Sequence, residues 1–370
     1  MNRQWIGKVA GTNNGSLCLN IEQRGSENSG TLTFQDTDPS SPSLIADLTV
    51  SDSDTSLSFT ATNIRCLSPS SLIEVKETKR YLQDYYPESV LPEVIYGEGT
   101  LTAPHLISGS WYSDSGTDGQ FELMGLSGPY QETPVELLQS WNNFKEIIAS
   151  ADPRSVIFRG QSDASWGLRT KFHRSSRSDL IRYFSEDIPR LYRHIHASTG
   201  LKFDLSKNDE LGSLLYLAQH HGYPTPLLDW SYSPYVAAYF AFSGISDLSD
   251  ENSVRIYMLD HQRWAKETFQ TNSLLSHGYT VSYMELLASG NKRSLPQQAV
   301  TTFSTIDWIE AWINHHAKIN NHPYLKAFDI PSSEKPLVMN DLQHMGITPS
   351  TLFPGLDGIC QELRERDFSS

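Results

Sequence analysis

Apolar and polar residues alternate through the first third of the chain. Leu17, Leu19 and Ile21 are interleaved with Cys18, Asn20 and Glu22, and Leu57, Phe59 and Ala61 with Ser58, Thr60 and Thr62. Phe121 and Leu123 repeat the pattern further on. A period of two sends successive side chains to opposite faces of an extended backbone, so these segments predict strands with one buried face. Turn-rich stretches at 25–30 and 113–119 lie between them. Many short strands in series predict an all-β antiparallel meander, closed as a barrel or stacked as a sandwich. A helix is expected at 74–85. Trp5-Ile6-Gly7 and Gly109-Ser110-Trp111 are expected to pair as first and last strands.

The pattern changes after residue 130. Residues 127–135 read as a linker, and Thr133 is placed to cap a helix opened by Pro134. Val135, Leu137, Leu138, Trp141 and Phe144 then recur at helical spacing. Strands at 155–159, 225–230 and 253–259 are interleaved with helices at 178–198, 209–221 and 280–288. That order predicts two domains: a β domain over 1–130, then an α+β (or α/β) domain over 131–370.

Composition fits this division. A chain of 370 residues is long for one average domain, and 38% hydrophobic with 19% charged residues supplies ordinary globular cores. The net charge of -14 argues against a broad nucleic-acid-binding surface, which relies on clustered Lys and Arg. The charge is uneven, however. Residues 1–130 carry 7 basic and 16 acidic side chains, whereas residues 154–193 carry 9 basic and 4 acidic, which leaves room for a local anion site. Cys18, Cys66 and Cys360 form neither a disulfide framework nor a zinc spacing. There is no apolar signal core at the start and no run near the ~18 residues that span a bilayer. The expected location is cytoplasmic, without membrane attachment.

Two segments carry the candidate chemistry. In Phe158-Arg159-Gly160-Gln161 an arginine leaves an apolar strand beside a glycine that lets the backbone turn. Its guanidinium can hold a phosphate or carboxylate in a bidentate way, or pair with an acidic side chain such as Asp229. The second segment runs over 217–234, from a helix ending at Gly222 through two prolines to Asp229-Trp230-Ser231-Tyr232-Ser233 and Pro234. On a strand Ser231 and Ser233 share a face and could hold a polar planar ligand; alternatively Ser233 caps the helix that Pro234 opens. Asp229 reads as an acceptor for backbone amides or for Arg159. His220 and His221 diverge by about 100 degrees on a helix, which disfavours shared metal chelation, so no metal site is expected. One of them orients the Pro-Thr loop or meets a ligand. Gln297 and Gln298 precede a β-prone run, 299–303, and are candidates either for the cleft or for the surface.

These motifs resemble the FRG domain, a family named for a Phe-Arg-Gly element, here Phe158-Arg159-Gly160. The resemblance takes in Gln161, Trp166, Leu168, residues 217–242, Arg293 and Gln297-Gln298, with Gly346-Ile347-Thr348 and 352–358 beyond, and covers residues 135 to 345 or so. A more distant similarity is to the ADP-ribosyltransferase superfamily. Arg159-Gly160 is similar to its first element, and Ser231-Tyr232-Ser233 followed by Ala237-Ala238-Tyr239-Phe240-Ala241 to its second. Gln297 or Gln298 stands where its glutamate would be. This resemblance implies an ADP-ribosyltransferase-like fold with NAD as substrate. Arg159 would hold the pyrophosphate or ribose, and Ser231 and Ser233 would orient the dinucleotide. Gln297 would anchor the ribose hydroxyl, without the negative charge of a glutamate. Gly160, Gln161, His221, Thr225, Asp229, Trp230 and Tyr239 would surround the ligand, with Trp230 or Tyr239 on the nicotinamide. The implied function is an effector in bacterial conflict or phage defence that senses a protein partner or trigger through residues 1–130. The alternative is a non-catalytic module binding a nucleotide or peptide.

Overall fold

The computed structural model describes residues 4–53, 55–103, 105–125, 133–138, 140–286 and 293–368. The alternating segments form eight strands: β1 (Gln4–Gly11), β2 (Gly15–Arg24), β3 (Glu27–Asp36), β4 (Ser43–Asp52), β5 (Ser56–Leu67), β6 (Ile95–Ala103), β7 (Leu106–Ser113) and β8 (Asp118–Gly125). They close in sequence order into an antiparallel barrel. Leu17, Leu19, Leu32, Phe59, Phe121 and Leu123 point into its core. The seam joins β1 to β8, from Trp5 opposite Gly125 to Gly11 opposite Gly119. The expectation for Trp111 is therefore corrected. Its strand, β7, pairs with β6 and β8, and the alternating Phe121 and Leu123 segment makes the closure instead. Helix α1 (Thr78–Tyr85) lies in the β5–β6 connection.

The second unit is α+β. Its elements are β9 (Val135–Leu137), α2 (Trp141–Ile148), β10 (Val156–Gln161), α3 (Lys171–Arg174), α4 (Leu180–Arg182), α5 (Ile188–Thr199), α6 (Asn208–His220), β11 (Leu227–Ser231) and α7 (Pro234–Phe242). There follow β12 (Ser253–Asp260), α8 (His261–Glu267), β13 (Val281–Met284), β14 (Ala299–Ser304), α9 (Ile309–Asn320), β15 (Leu325–Pro331), α10 (Lys335–His344), α11 (Pro349–Leu352) and α12 (Leu356–Phe368). The seven strands lie in the order β13-β14-β11-β10-β12-β15-β9, antiparallel except at the β15–β9 edge. One buried cluster joins Phe144, Phe158, Phe242 and Phe328; another joins Ile157, Trp230, Tyr257 and Trp264.

Two helical expectations are corrected. Val135–Leu137 is a strand, because β15 offers it backbone partners at the sheet edge, and α2 begins only at Trp141 behind a Ser140 cap. Thr133 instead bonds Glu310 and Asn314. In the 280–288 segment, Val281–Met284 pairs with β14 as a strand. Tertiary pairing outweighs the local pattern in both cases. Residues 126–132, most of the expected linker, and 287–292 lie outside the described residues.

The barrel's outer wall is sealed against the second unit. Buried Glu22 accepts from both the Arg177 guanidinium (2.9 Å) and the backbone N–H groups of Ser178 (2.8 Å) and Asp179 (2.9 Å). The Gln4 side chain donates to the Thr305 carbonyl at 2.8 Å and accepts from the Asp307 N–H at 3.1 Å.

Candidate binding cleft

Strand β10 is apolar on both faces: Val156 and Phe158 pack with α7, and Ile157 packs on the opposite side. At Gly160 the α7 backbone comes so close that a Cβ would lie 1.9 Å from the Ala237 carbonyl oxygen. The register between β10 and β11 holds only Phe158 opposite Ser231. Residues 159–162 and 229–231 then line a shared cavity of about 580 Å³. The cleft opens where two neighbouring central strands part.

Arg159 spans that parting. Its Nη1 donates to the Asp229 carbonyl oxygen at 2.6 Å, while Nε meets no acceptor among the described residues. Burial pushes the guanidinium below its ordinary pKa, with Asp229 opposing the shift and Arg174 adding to it. An arginine this basic stays charged nonetheless. Arg174, also lowered by burial and by nearby Arg169, lines the same cavity. Among the described residues neither Arg159 nor Arg174 forms an ion pair. Two further guanidiniums are partnered. Arg169 binds Asp307 and the His173 carbonyl and lies 4.8 Å from the Trp308 ring centre. Arg293 reaches Asp357 at 3.9 Å and lies 5.3 Å from the Phe353 ring centre. Trp166, Phe240, Trp308 and Phe353 supply aromatic wall.

The other sequence candidates divide. Gln161, Asp229, Trp230, Ser231 and Gln297 line the cavity with Arg159 and Gly160. The buried Gln161 Oε1 has no partner among the described residues. The Asp229 carboxylate accepts from Gln219 Nε2 at 2.6 Å, and Gln219 in turn accepts from the Thr225 hydroxyl. Ser231 Oγ donates to the Gln297 carbonyl at 2.7 Å and accepts from the Ser233 N–H at 3.0 Å. Trp230 Nε1 donates to Thr302 at 3.0 Å. Gln297 lies in the turn before β14, where its amide Nε2 donates to the Leu352 carbonyl at 3.0 Å. The neighbouring Gln298 has a left-handed φ of 46°.

Ser233, His221, Thr225 and Tyr239 are not in the cavity lining. Ser233 caps α7 through the Val236 N–H at 3.2 Å. His221 is exposed at the end of α6, and its neighbour His220, held to the Tyr216 carbonyl at 2.7 Å, faces the cleft instead. Tyr239 is buried beneath Phe240 and Phe353. Arg169, Arg174, Tyr216, Phe240 and Trp308 join the lining without a motif that marks them as site residues; the basic excess over 154–193 is the trace of the two arginines.

Residues 154–250 match the FRG domain. The match runs from just before β10 to just beyond α7, so the FRG segment carries Arg159, Asp229 and Ser231 but neither the barrel nor the Arg293–Gln297 turn. No curated protein and no solved structure matches the chain. Among the described residues no helix is long and apolar enough to cross a membrane.

Proposed function

We propose that the cleft beside β10 and β11 binds a nucleotide, with NAD as the leading ligand. One observation carries this reading: two guanidiniums that form no ion pair among the described residues, Arg159 and Arg174, converge in a cavity walled by aromatic rings. Bound phosphates would compensate the buried positive charge, and a base or nicotinamide ring has Trp166, Phe240, Trp308 or Phe353 to stack on. The resemblance to ADP-ribosyltransferases favours NAD over other nucleotides.

Turnover is the second reading, favoured because Arg159, Ser231 and Gln297 share the cavity. In such a reaction the nicotinamide–ribose bond breaks, nicotinamide leaves with the electron pair, and water or an acceptor attacks the oxocarbenium-like carbon. Gln297 supplies no charge, and its amide already serves Leu352. Asp229 is the carboxylate in the lining, so electrostatic stabilisation of the cation is modest. The setting proposed for this effector is bacterial conflict, phage defence included, with the barrel as the sensing part.

Calorimetry of the full chain with NAD, ADP and AMP, beside Arg159→Ala, tests the site. Binding lost in the variant supports the cleft; nicotinamide release lost in the same variant makes it an enzyme, and binding without release makes it a module. Failure of all three ligands to bind overturns the nucleotide reading. NAD content of cells expressing the chain reports on the effector role.

A further inference from the structure

The barrel holds a second cavity, of about 260 Å³, unconnected with the FRG motifs. Leu17, Leu32, Phe34, Phe59, Ile95 and Trp111 are among the side chains that enclose it. Its polar lining consists of Thr12, Asn13, Ser41, Ser89, Ser115 and Thr117, and among the described residues no charged one takes part. Five of these six lie in turns, and the turns share one end of the barrel: β1–β2 (Thr12, Asn13), β3–β4 (Ser41) and β7–β8 (Ser115, Thr117). The β5–β6 connection reaches the same end and brings Ser89, Val90, Leu91 and Pro92 to the lining. Val90 is 79% exposed there, an aliphatic side chain left in water at the cavity's edge. The second unit holds the barrel through the Gln4 and Glu22 region toward the opposite end and touches the β5–β6 connection where the His277 N–H donates to the Leu72 carbonyl at 2.8 Å, but among the described residues none of the second unit lines the cavity.

We propose that the barrel is a binding site for a small, uncharged, largely apolar molecule that enters past residues 89–92. An eight-stranded barrel has an interior that side chains can fill or that can hold one small ligand. Here large inward residues leave a hollow well beyond the roughly 150 Å³ that accommodates benzene in an apolar protein cavity. Apolar walls give water too few partners, and a hollow forgoes dispersion contacts that a ligand restores. The described lining holds no cation, which selects against carboxylates and phosphates, since a buried anion there would be unpaired. The polar groups at the turn end fit a single hydroxyl or carbonyl on the molecule. The size corresponds to about two fused rings or an equivalent aliphatic chain, scaled from the benzene case, and a further ring on the molecule would extend past residues 89–92 at the mouth.

The test uses the full-length protein and the neutral fluorescent probe N-phenyl-1-naphthylamine. The expected result is saturable one-to-one binding, at least tenfold weaker in Ala46→Phe, which fills the cavity from a fully buried position, and in Ile64→Trp, which fills it from a half-buried one. Arg159→Ala leaves probe affinity unchanged. The sulfonated probe 1-anilinonaphthalene-8-sulfonate binds at least tenfold more weakly than the neutral one. Thermal melting identifies which filled variants are folded. No saturable binding by the unaltered chain, unchanged affinity in a folded filled variant, or equal affinity for the sulfonate overturns the proposal.

Discussion

Arg159 and Asp229 are joined by side chain and backbone: the guanidinium Nη1 donates to the carbonyl oxygen across 70 residues at 2.6 Å. A side chain thus satisfies a strand carbonyl at the parting of β10 and β11. The same group is structural strut and ligand anchor. Arg159→Ala leaves that carbonyl without its donor and is expected to lower stability by about 1–3 kcal/mol, with at least tenfold weaker nucleotide binding. Arg159→Lys keeps the charge but loses the planar fork that serves two acceptors at once. Lys should recover part of the binding and little of the stability. Calorimetry and urea denaturation on both variants check this; equal behaviour of Lys and Arg contradicts it.

Gly160 sets how closely α7 approaches the sheet. A methyl group at this position would press on backbone atoms, the Ala237 carbonyl at 1.9 Å and the Ala241 nitrogen at 2.8 Å, which no rotamer change relieves. Gly160→Ala is expected to cost about 2 kcal/mol or more, as overpacking against a rigid element does. It should also displace Arg159 and weaken nucleotide binding. Thermal melting gives the first effect and calorimetry the second; a variant with unaltered melting and affinity refutes the packing argument.

How much of this was legible depends on what each residue needs from its surroundings. The barrel strands announce themselves because one face meets a core and the other does not. Arg159, Asp229 and Ser231 were legible because Gly160 and the prolines of the 217–234 segment mark backbone that is neither plain helix nor plain strand. Val135–Leu137 was not, since a three-residue edge strand exists only through its pairing with β15. The ring at the cleft is His220 rather than the expected His221, because the phase and end of α6 decide which ring faces it. Trp308 and Phe353 reach the cavity from segments whose approach to β10 is set by packing. Ser233 carried two compatible readings, and the helix cap is the one with a hydrogen bond behind it.

Glu22 is the barrel's main polar hold on the second unit. Its carboxylate is 2% exposed and accepts from the Arg177 side chain and two backbone N–H groups. The same contact raises the Arg177 pKa against the opposing effect of burial. Removing one partner of such a buried charge cluster is destabilising by about 3–5 kcal/mol. Glu22→Ala is therefore expected to lower the melting temperature and to expose the Ser178–Asp179 amides. Hydrogen exchange should quicken at those two amides more than in the barrel interior. Uniform exchange across the chain would show that the clamp is not local.

His173 makes acid stability testable. The ring is fully buried, Nδ1 meets the Thr170 hydroxyl at 2.7 Å, and Nε2 has no partner among the described residues. Burial, assisted by the Arg169 charge, pushes its pKa down to about 3. In the unfolded chain the imidazole takes up a proton below its ordinary value of 6.5, whereas the buried ring does not until about 3. Across that window the unfolded state binds the extra proton, so this contribution is complete above pH 6.5 and is lost as the pH falls toward 3. The slope from one such group is up to about 1.4 kcal/mol per pH unit. His277 and His316, both pushed down to about 4, act in the same direction. Denaturation between pH 7 and 4.5 should show falling stability in the unaltered chain and a shallower fall in His173→Phe, which has no proton to gain on unfolding. Parallel pH profiles for the two proteins would mean that this imidazole does not govern the acid limb.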